Sequence, residues 1–454
     1  MQKRIKTTFL VALIITSGLW QKTNAQTNIN SPYSRYGIGN TNGFTNALSS
    51  SIGGIGYAFS RNNSINLKNP ASLGGIDTMS FVFDIGFYMD FLTLTSSQTS
   101  ISGFSGALSH ISFAFPINKN LKLGVSLVPL SDISYTSSES VSVNDSTFYR
   151  KRYDGSGGLD KAILGGSYSL SFPKDKLNIG LNIEYMFGNY YRGSSLIFFD
   201  NTDTLFHSSD TNIHRYPIDS NWFNSRDVTT FHINNFNFNF GLQYFHTFNN
   251  GDKLGIGGSY IIPASLQTDN ARTLYTYTVS NGVAYTKDIV VDSSYKGKIK
   301  FPQSFGLGLS YEKPQKFFIG ADAQYTKWSD FRLQTNESSD PLLNSLNVGF
   351  GMEFTPNIYG NYLSQMTYRL GLNFDNGYLA FDNDRLSSDG TRLNQYGIAL
   401  GFGLPVRKSS TLINISFEYG VRGTTAENLI RENYFRIGFS LSAKDRWFFK
   451  RKYQ

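Results

Sequence analysis

The residues that could do chemistry are few and scattered. There are five histidines, His110, His207, His214, His232 and His246, and no cysteine. Thiolate catalysis, thiolate metal sites and disulfides are therefore excluded. His207 and His214 stand seven apart, near Asp203 and Asp210, a spacing that matches no ligand signature and reads more simply as a solvated loop. No serine sits in a nucleophile elbow, and no His-Glu-x-x-His occurs. No catalytic residue, cofactor or metal is expected. What remains is a set of charges spread one by one along the chain: Asp84, Glu184, Asp322, Glu353, Arg369, Glu418 and Arg436. They read either as a ligand path or as a structural charge network filling an interior.

Elements that alternate must position them. After residue 78, fourteen segments of about ten or more residues alternate apolar with polar or glycine. Phe236-Asn237-Phe238-Asn239-Phe240 is the clearest. A strand points successive side chains to opposite faces, so one face here suits hydrocarbon and the other water. Glu184 follows Asn178, Gly180 and Asn182 opposite Leu177, Ile179, Leu181 and Ile183. Asp322 lies between Ala321 and Ala323, and Glu418 between Phe417 and Tyr419. Arg369 precedes Leu370, Arg436 lies between Phe435 and Ile437, and Asp84 and Glu353 also fall on polar faces. Arginine or lysine facing lipid would cost about 2–4 kcal/mol near the midplane, so these charges are expected to face inward.

The predicted strands are 79–93, 103–116, 119–131, 158–173, 176–190, 228–248, 252–266, 300–313, 316–328, 344–355, 365–380, 392–404, 411–422 and 432–442. Each is long enough to span when tilted, which takes about 9–11 residues. Connections after even strands are short, and five of these six turns carry a proline in or beside them: Pro116, Pro173, Pro314, Pro356 and Pro405. Proline cannot donate to a ladder and belongs at strand ends. Connections after odd strands are mostly longer and polar, notably 132–157, 191–227 and 267–299. Short turns on one side and long loops on the other is the pattern of bacterial outer-membrane barrels. The fold expected is all-β: a fourteen-stranded antiparallel transmembrane β-barrel spanning 79–442. Sixteen strands would follow if 141–150 and 271–290 entered the wall.

Composition agrees. Of 454 residues, 15% are aromatic and only 16% charged, against a usual charged share of about 25%. Mean hydropathy is −0.26, as expected where lumen residues and loops dilute a lipid-facing surface. Residues 1–25 have the parts of a secretory signal: Lys3, Arg4 and Lys6, an apolar core from Phe9 to Ile15, and Thr23-Asn24-Ala25 before the cut. Removing it, with Lys22, takes the net charge from +8 to +4. That is too little to argue for nucleic acid. The expected location is the outer membrane of a Gram-negative bacterium.

Residues 26–78 do not alternate. They hold closely spaced glycines (Gly53, Gly54, Gly56) and then Asn69-Pro70-Ala71. Apolar content without strand rhythm needs burial, and the interior of a wide barrel offers it; a periplasmic arm is the other reading. The Gly-Gly-x-Gly-x-Ala run (Gly53, Gly54, Gly56, Ala58) with Asn69-Pro70-Ala71 just before the first strand resembles the FadL/TodX outer-membrane transport family. Ser72 stands where that family commonly has glycine. The resemblance implies fourteen strands, an N-terminal hatch inside the lumen, and passive uptake of hydrophobic small molecules such as long-chain fatty acids. It also implies a kink in the third strand that opens the wall. Pro129 is the candidate for that kink, the other reading being that it merely ends the strand. Some FadL-like relatives, PorV among them, instead serve as accessory or shuttle subunits of secretion or assembly complexes. Outer-membrane lipid is an expected partner in either case. The tail, 443–454, sets Lys444, Arg446, Lys450, Arg451 and Lys452 around Trp447, Phe448 and Phe449, which reads as a periplasmic interfacial anchor.

Overall fold

The computed structural model describes residues 31–41, 46–142, 147–200, 223–280, 283–334, 340–382, 385–407 and 409–446. The expected signal segment 1–25 and tail residues 447–454 lie outside them.

Fourteen antiparallel strands close a barrel. They are β1 Ser80–Thr95, β2 Ser100–Pro116, β3 Leu121–Ser142, β4 Thr147–Ser171, β5 Asp175–Asp200, β6 Asn224–Thr247 and β7 Lys253–Ile261. β7 resumes after Pro263 as an outer segment, Ala264–Ser280. β8 has an outer segment, Val283–Phe301, and a wall segment, Ser304–Lys313, separated by Pro302. Then come β9 Phe317–Thr326, β10 Ser345–Phe354, β11 Thr367–Asp375, β12 Gln395–Pro405, β13 Leu412–Arg422 and β14 Arg431–Arg446. Each strand pairs with its sequence neighbour, and β14 closes on β1 from Arg446↔Ser80 to Arg431↔Thr95.

Burial is the reverse of a water-soluble protein's. Asn237 and Asn239 are buried, whereas Phe236 and Phe240 are 55% and 47% exposed. Leu307 and Leu309 are likewise bare while Ser310 is buried. An apolar belt of this extent suits a hydrocarbon surround.

Two boundaries differ from those read in the sequence. The segments expected as long loops are largely strand: β3 and β4 run on to Ser142 and Thr147, β5 and β6 to Asp200 and Asn224, and the outer segments of β7 and β8 to Ser280 and Val283. Thus 141–150 and 271–290 lengthen wall strands and add none. Their Thr and Tyr favour extended chain, but they lack an apolar face because they stand beyond the belt. The last strand runs to Arg446, so Ala443 and Lys444 belong to the wall.

The chain before β1 lies against the inner wall. It contains a 3-10 turn Pro32–Arg35, a two-residue strand Asn40–Thr41, a short helix Ala47–Ser51 and a 3-10 turn Pro70–Gly75. Asn46 caps the helix through Ser49 N (2.7 Å), and Asn69 caps the second turn through Ala71 N (3.0 Å). Close approach is possible because inward wall positions are glycine. A Cβ at Gly257 would overlap the Tyr57 carbonyl, at Gly371 the Gly53 amide, and at Gly180 the Ala71 amide. Gly53 and Gly54 themselves have φ of +68° and +78°, a region that favours glycine.

Candidate functional site: a filled lumen beside an incomplete seam

The lumen is layered. At the short-turn end, the segment 46–76 packs through two apolar clusters, Leu48, Ile52, Ile55, Phe59 and Phe318, and Ile65, Leu73, Ile76, Val82 and Ala114. At the long-hairpin end, a larger apolar cluster gathers around Tyr33 and Ile38, with Tyr190, Phe231, Trp328 and Tyr378 among its members. Between them is a cavity of about 390 Å³.

The seven charges expected in the lumen divide between these layers. Asp84, Asp322 and Glu353 hold the N-terminal segment. Asp322 accepts from Gly56 N (2.7 Å), Tyr57 N (3.0 Å) and Lys68 Nζ (3.3 Å). Asp84 accepts from Ile65 N (3.3 Å) and Ser442 Oγ (3.1 Å). His110 Nε2 stands 3.2 Å from the other Asp84 oxygen, at ion-pair distance but without hydrogen-bond alignment. Glu353 receives Arg61 (2.5 Å) and Arg369 (2.7 Å), Arg61 also pairs with Glu312, and Arg369 reaches Asn414 (2.9 Å). Burial alone would lower the Arg61 pKa, but Glu353 and Glu312 raise it above its ordinary value. Burial, then Asp322, also pushes the Tyr57 phenol well up. Residues 46–76 thus meet the wall with a protonated phenol and a charged guanidinium.

Glu184, Glu418 and Arg436 line the cavity instead. Glu184 pairs with Lys161 at 3.1 Å. Glu418 accepts from Asn373 (3.0 Å) and Tyr434 (3.1 Å). Arg436 grips Asp90 bidentately at 2.6 and 2.8 Å. Sequence reading missed Asp90, Lys161, Arg61 and Lys68. Asp90 was within reach, since it shares the parity of Asp84 along β1, opposite Phe87, Met89 and Phe91. Arg61 and Lys68 carry no periodic signal.

Of the motif residues, Gly53, Gly56, Asn69, Pro70 and Ala71 meet the inner wall, and Gly54 faces the cavity. Asn69 Nδ2 donates to the carbonyls of Tyr57, Leu242 and Gly258 at 2.8–3.2 Å.

The wall is incomplete on one side. β2 and β3 pair only from Pro116↔Lys122 to Ile111↔Leu127. Beyond that, β2 pairs with β1 alone and β3 with β4. Both strands are irregular at the break: β1 and β2 shift register after Gly86↔His110, and β3 and β4 shift between Pro129 and Ser131. Pro129 therefore does not end its strand. It sits at a bulge two residues past the last β2–β3 pair. From inside, Asn40–Thr41 pairs with Asp132 and Ser131 of β3. Phe87, Met89 and Phe91 remain bare on neighbouring β1 at this level, so the break lies within the apolar belt. The cavity lining reaches it through Ser105 of β2 and Leu130 and Asp132 of β3.

Of the histidines, His246 pairs with Asp175 (2.7 Å) at the short-turn end, and His232 lies exposed beside Asn189. His207 and His214 lie outside the described residues. Among those described, no group of three or more His, Asp or Glu side chains is placed to hold a metal.

Solved structures share this fold. The monoaromatic hydrocarbon channel CymD is 15% identical, with a TM-score of 0.51 over 88% of this chain and 97% of that one. The Pseudomonas putida toluene transporter TodX is 13% identical, with a TM-score of 0.51 over 89% and 99%. A Pseudomonas aeruginosa FadL homologue is 15% identical, with a TM-score of 0.52 over 91% and 100%. These likenesses show that the chain shares the barrel fold of those channels. No curated protein matches the chain. The sequence model of one family, BamG, matches residues 1–454. The chain belongs to the BamG family.

Proposed function

We propose that this barrel sits in the outer membrane and offers hydrophobic small molecules a lateral route between its cavity and the bilayer. The observation that carries this reading is the β2–β3 seam, unpaired beyond Ile111↔Leu127 within the apolar belt and continuous with the cavity lining. Unpaired strand edges facing lipid are costly unless something covers them, and Asn40–Thr41 covers only two residues of β3. The hydrocarbon channels of the same fold support the route. The cavity mixes Leu92, Leu130 and Met186 with Lys161 and Arg436, which suits an apolar body bearing a polar end. The test is entry of a labelled hydrophobic compound, a long-chain fatty acid or toluene, into vesicles containing the purified protein. Entry should fall several-fold when Ser105→Trp fills the seam. Equal entry into protein-free vesicles would overturn the reading.

A second reading is favoured by a different observation. The whole-chain match is to BamG, and a packed apolar cluster fills the hairpin end of the lumen. Both suit an accessory subunit of an outer-membrane assembly complex, which needs a rigid wall more than a conduit. Mild-detergent purification of the native protein with mass spectrometry separates the two. Stoichiometric assembly components would favour the subunit; a lone barrel carrying bound lipid would favour passage.

A further inference from the structure

The outer segment of β8 carries three lysines on one face. Lys296, Lys298 and Lys300 are exposed, while Ile299 between them is fully buried. Across the next strand pair, Lys300 stands directly opposite Arg332, which is also exposed. Directly opposed like charges destabilise a sheet, and Lys298 is one step further along the same face. On the other side, Lys300, Lys298 and Lys296 oppose Ser265, Gln267 and Asp269 of β7. One acid therefore answers one lysine. Lys298, Lys300 and Arg332 have no ionic partner among the described residues; Arg332 donates to the carbonyls of Ser329 and Phe331 (both 2.7 Å).

The position of the cluster identifies its counter-ion. Just below it, the wall segment of β8 turns Phe305, Leu307 and Leu309 outward. Tyr260 stacks on Phe305 at 4.6 Å and reaches Gln303 with its hydroxyl (3.1 Å). Aromatic rings with a polar end mark the edge of the hydrocarbon. The cations thus stand at the head-group level on the long-hairpin side, which in such barrels faces outward. A guanidinium fork beside two ammonium groups is a phosphate-binding set.

We propose that Lys298, Lys300 and Arg332 bind the phosphorylated glycolipid head group of the outer leaflet, its acyl chains lying along Phe305, Leu307 and Leu309. The lipid relieves the repulsion that the bare sheet carries. This site is independent of the seam and of what the barrel conveys.

The experiment is native mass spectrometry of the detergent-purified full-length protein titrated with lipid A, with its dephosphorylated form, and with inorganic phosphate as competitor. Basic residues near an anionic surface each add to binding, so the triple variant Lys298→Gln/Lys300→Gln/Arg332→Gln should bind lipid A at least about tenfold more weakly. A double variant that keeps the charge and the Arg332 fork (Lys298→Arg/Lys300→Arg) should bind like the parent, which separates charge from folding. Equal binding of the dephosphorylated lipid, or an unchanged affinity in the Gln variant, would overturn the proposal. Full displacement by millimolar phosphate would overturn the lipid source in favour of a free anion.

Discussion

Two arcs of the same wall are built differently. From β3 to β6 the strands run 22, 25, 26 and 24 residues. From β9 to β13 they run 10, 10, 9, 11 and 11. A tilted membrane strand needs about 9–11 residues, so the low arc is almost all membrane wall and the tall arc stands well beyond it. Their interiors differ too. Both arcs carry inward charge, Lys161 and Glu184 on the tall arc among it, but the carboxylates that pair with Arg61 and Lys68 of the N-terminal segment, Glu353 and Asp322, lie on β10 and β9 of the low arc. The tall arc supplies apolar side chains to the upper cluster, including Ile133, Leu159, Tyr190 and Phe231. Ionic contacts thus hold segment 46–76 to the low arc, hydrogen bonds from Ser167 and Gln243 hold it to the tall arc, and apolar packing steadies the stretch around Tyr33 and Ile38. The seam lies where the tall arc begins, at β3, and meets a strand, β2, that does not follow it upward.

The low-arc lock is the place to break this contrast hardest. Glu353→Gln would leave Arg61 and Arg369 short of a carboxylate, and Arg369 is buried. Breaking one partner of a buried pair costs about 3–5 kcal/mol, somewhat less here because Arg61 is partly exposed. Residues 46–76 should become accessible to protease in detergent while the barrel still migrates as a folded species. A segment that stays protected would show that the Glu353 pairs are not needed to hold it.

Steric fit comes next. Gly371→Val would force a side chain into the Gly53 amide, and overpacking of this kind costs about 1–3 kcal/mol. Gly166→Val, beside a leucine side chain on the tall arc and clear of the hatch, should cost less. Unfolding temperatures read from heat-dependent gel mobility compare the two; equal losses would mean that the hatch seat is not tighter than the rest of the wall.

A smaller effect is expected at the seam. Pro129→Val restores a ladder donor at a bulge where β3 has no β2 partner. Stability should change by less than about 1 kcal/mol, since a net hydrogen bond is worth about that much. Lateral entry of a hydrophobic tracer should fall while the hatch stays protected. An unchanged tracer flux would put the route, if there is one, elsewhere.

The low arc was the legible one. Its strands alternate over their whole length, as in Asn414, Ser416 and Glu418 against Ile413, Ile415 and Phe417, so strand, face and charge could be read together. The tall arc was legible only inside the belt. Above it, stretches such as Ser137-Ser138-Glu139-Ser140 meet water and have no reason to alternate, so they read as loop. The seam was half visible. Pro129 marked the position, but the register shift beside His110 has no sequence signal, and it changes which β2 residues face inward. The hatch contacts were hidden because Arg61 and Lys68 meet carboxylates more than 250 residues away.

The smallest effect should come from the most conspicuous part of the tall arc. Thr273 and Asp292 are cross-strand partners, and the chain between them forms the distal hairpin of the β7 and β8 outer segments. Its β8 side is exposed almost throughout, with Tyr285, Ile289 and Val290 all more than half bare, and among its described residues only Val279 is a buried apolar side chain. Replacing the intervening residues with a two-residue Asn-Gly turn would remove little buried area, although β6 would lose pairing from Asn224 to Asp227. Segments with few buried contacts open independently of the global unit, so the unfolding temperature should stay within a few degrees of the parent. The hairpin would then be an appendage, kept for what it meets outside the membrane. A large drop would instead make the tall arc part of the cooperative barrel, and the division into a locked arc and a free-standing one would fail.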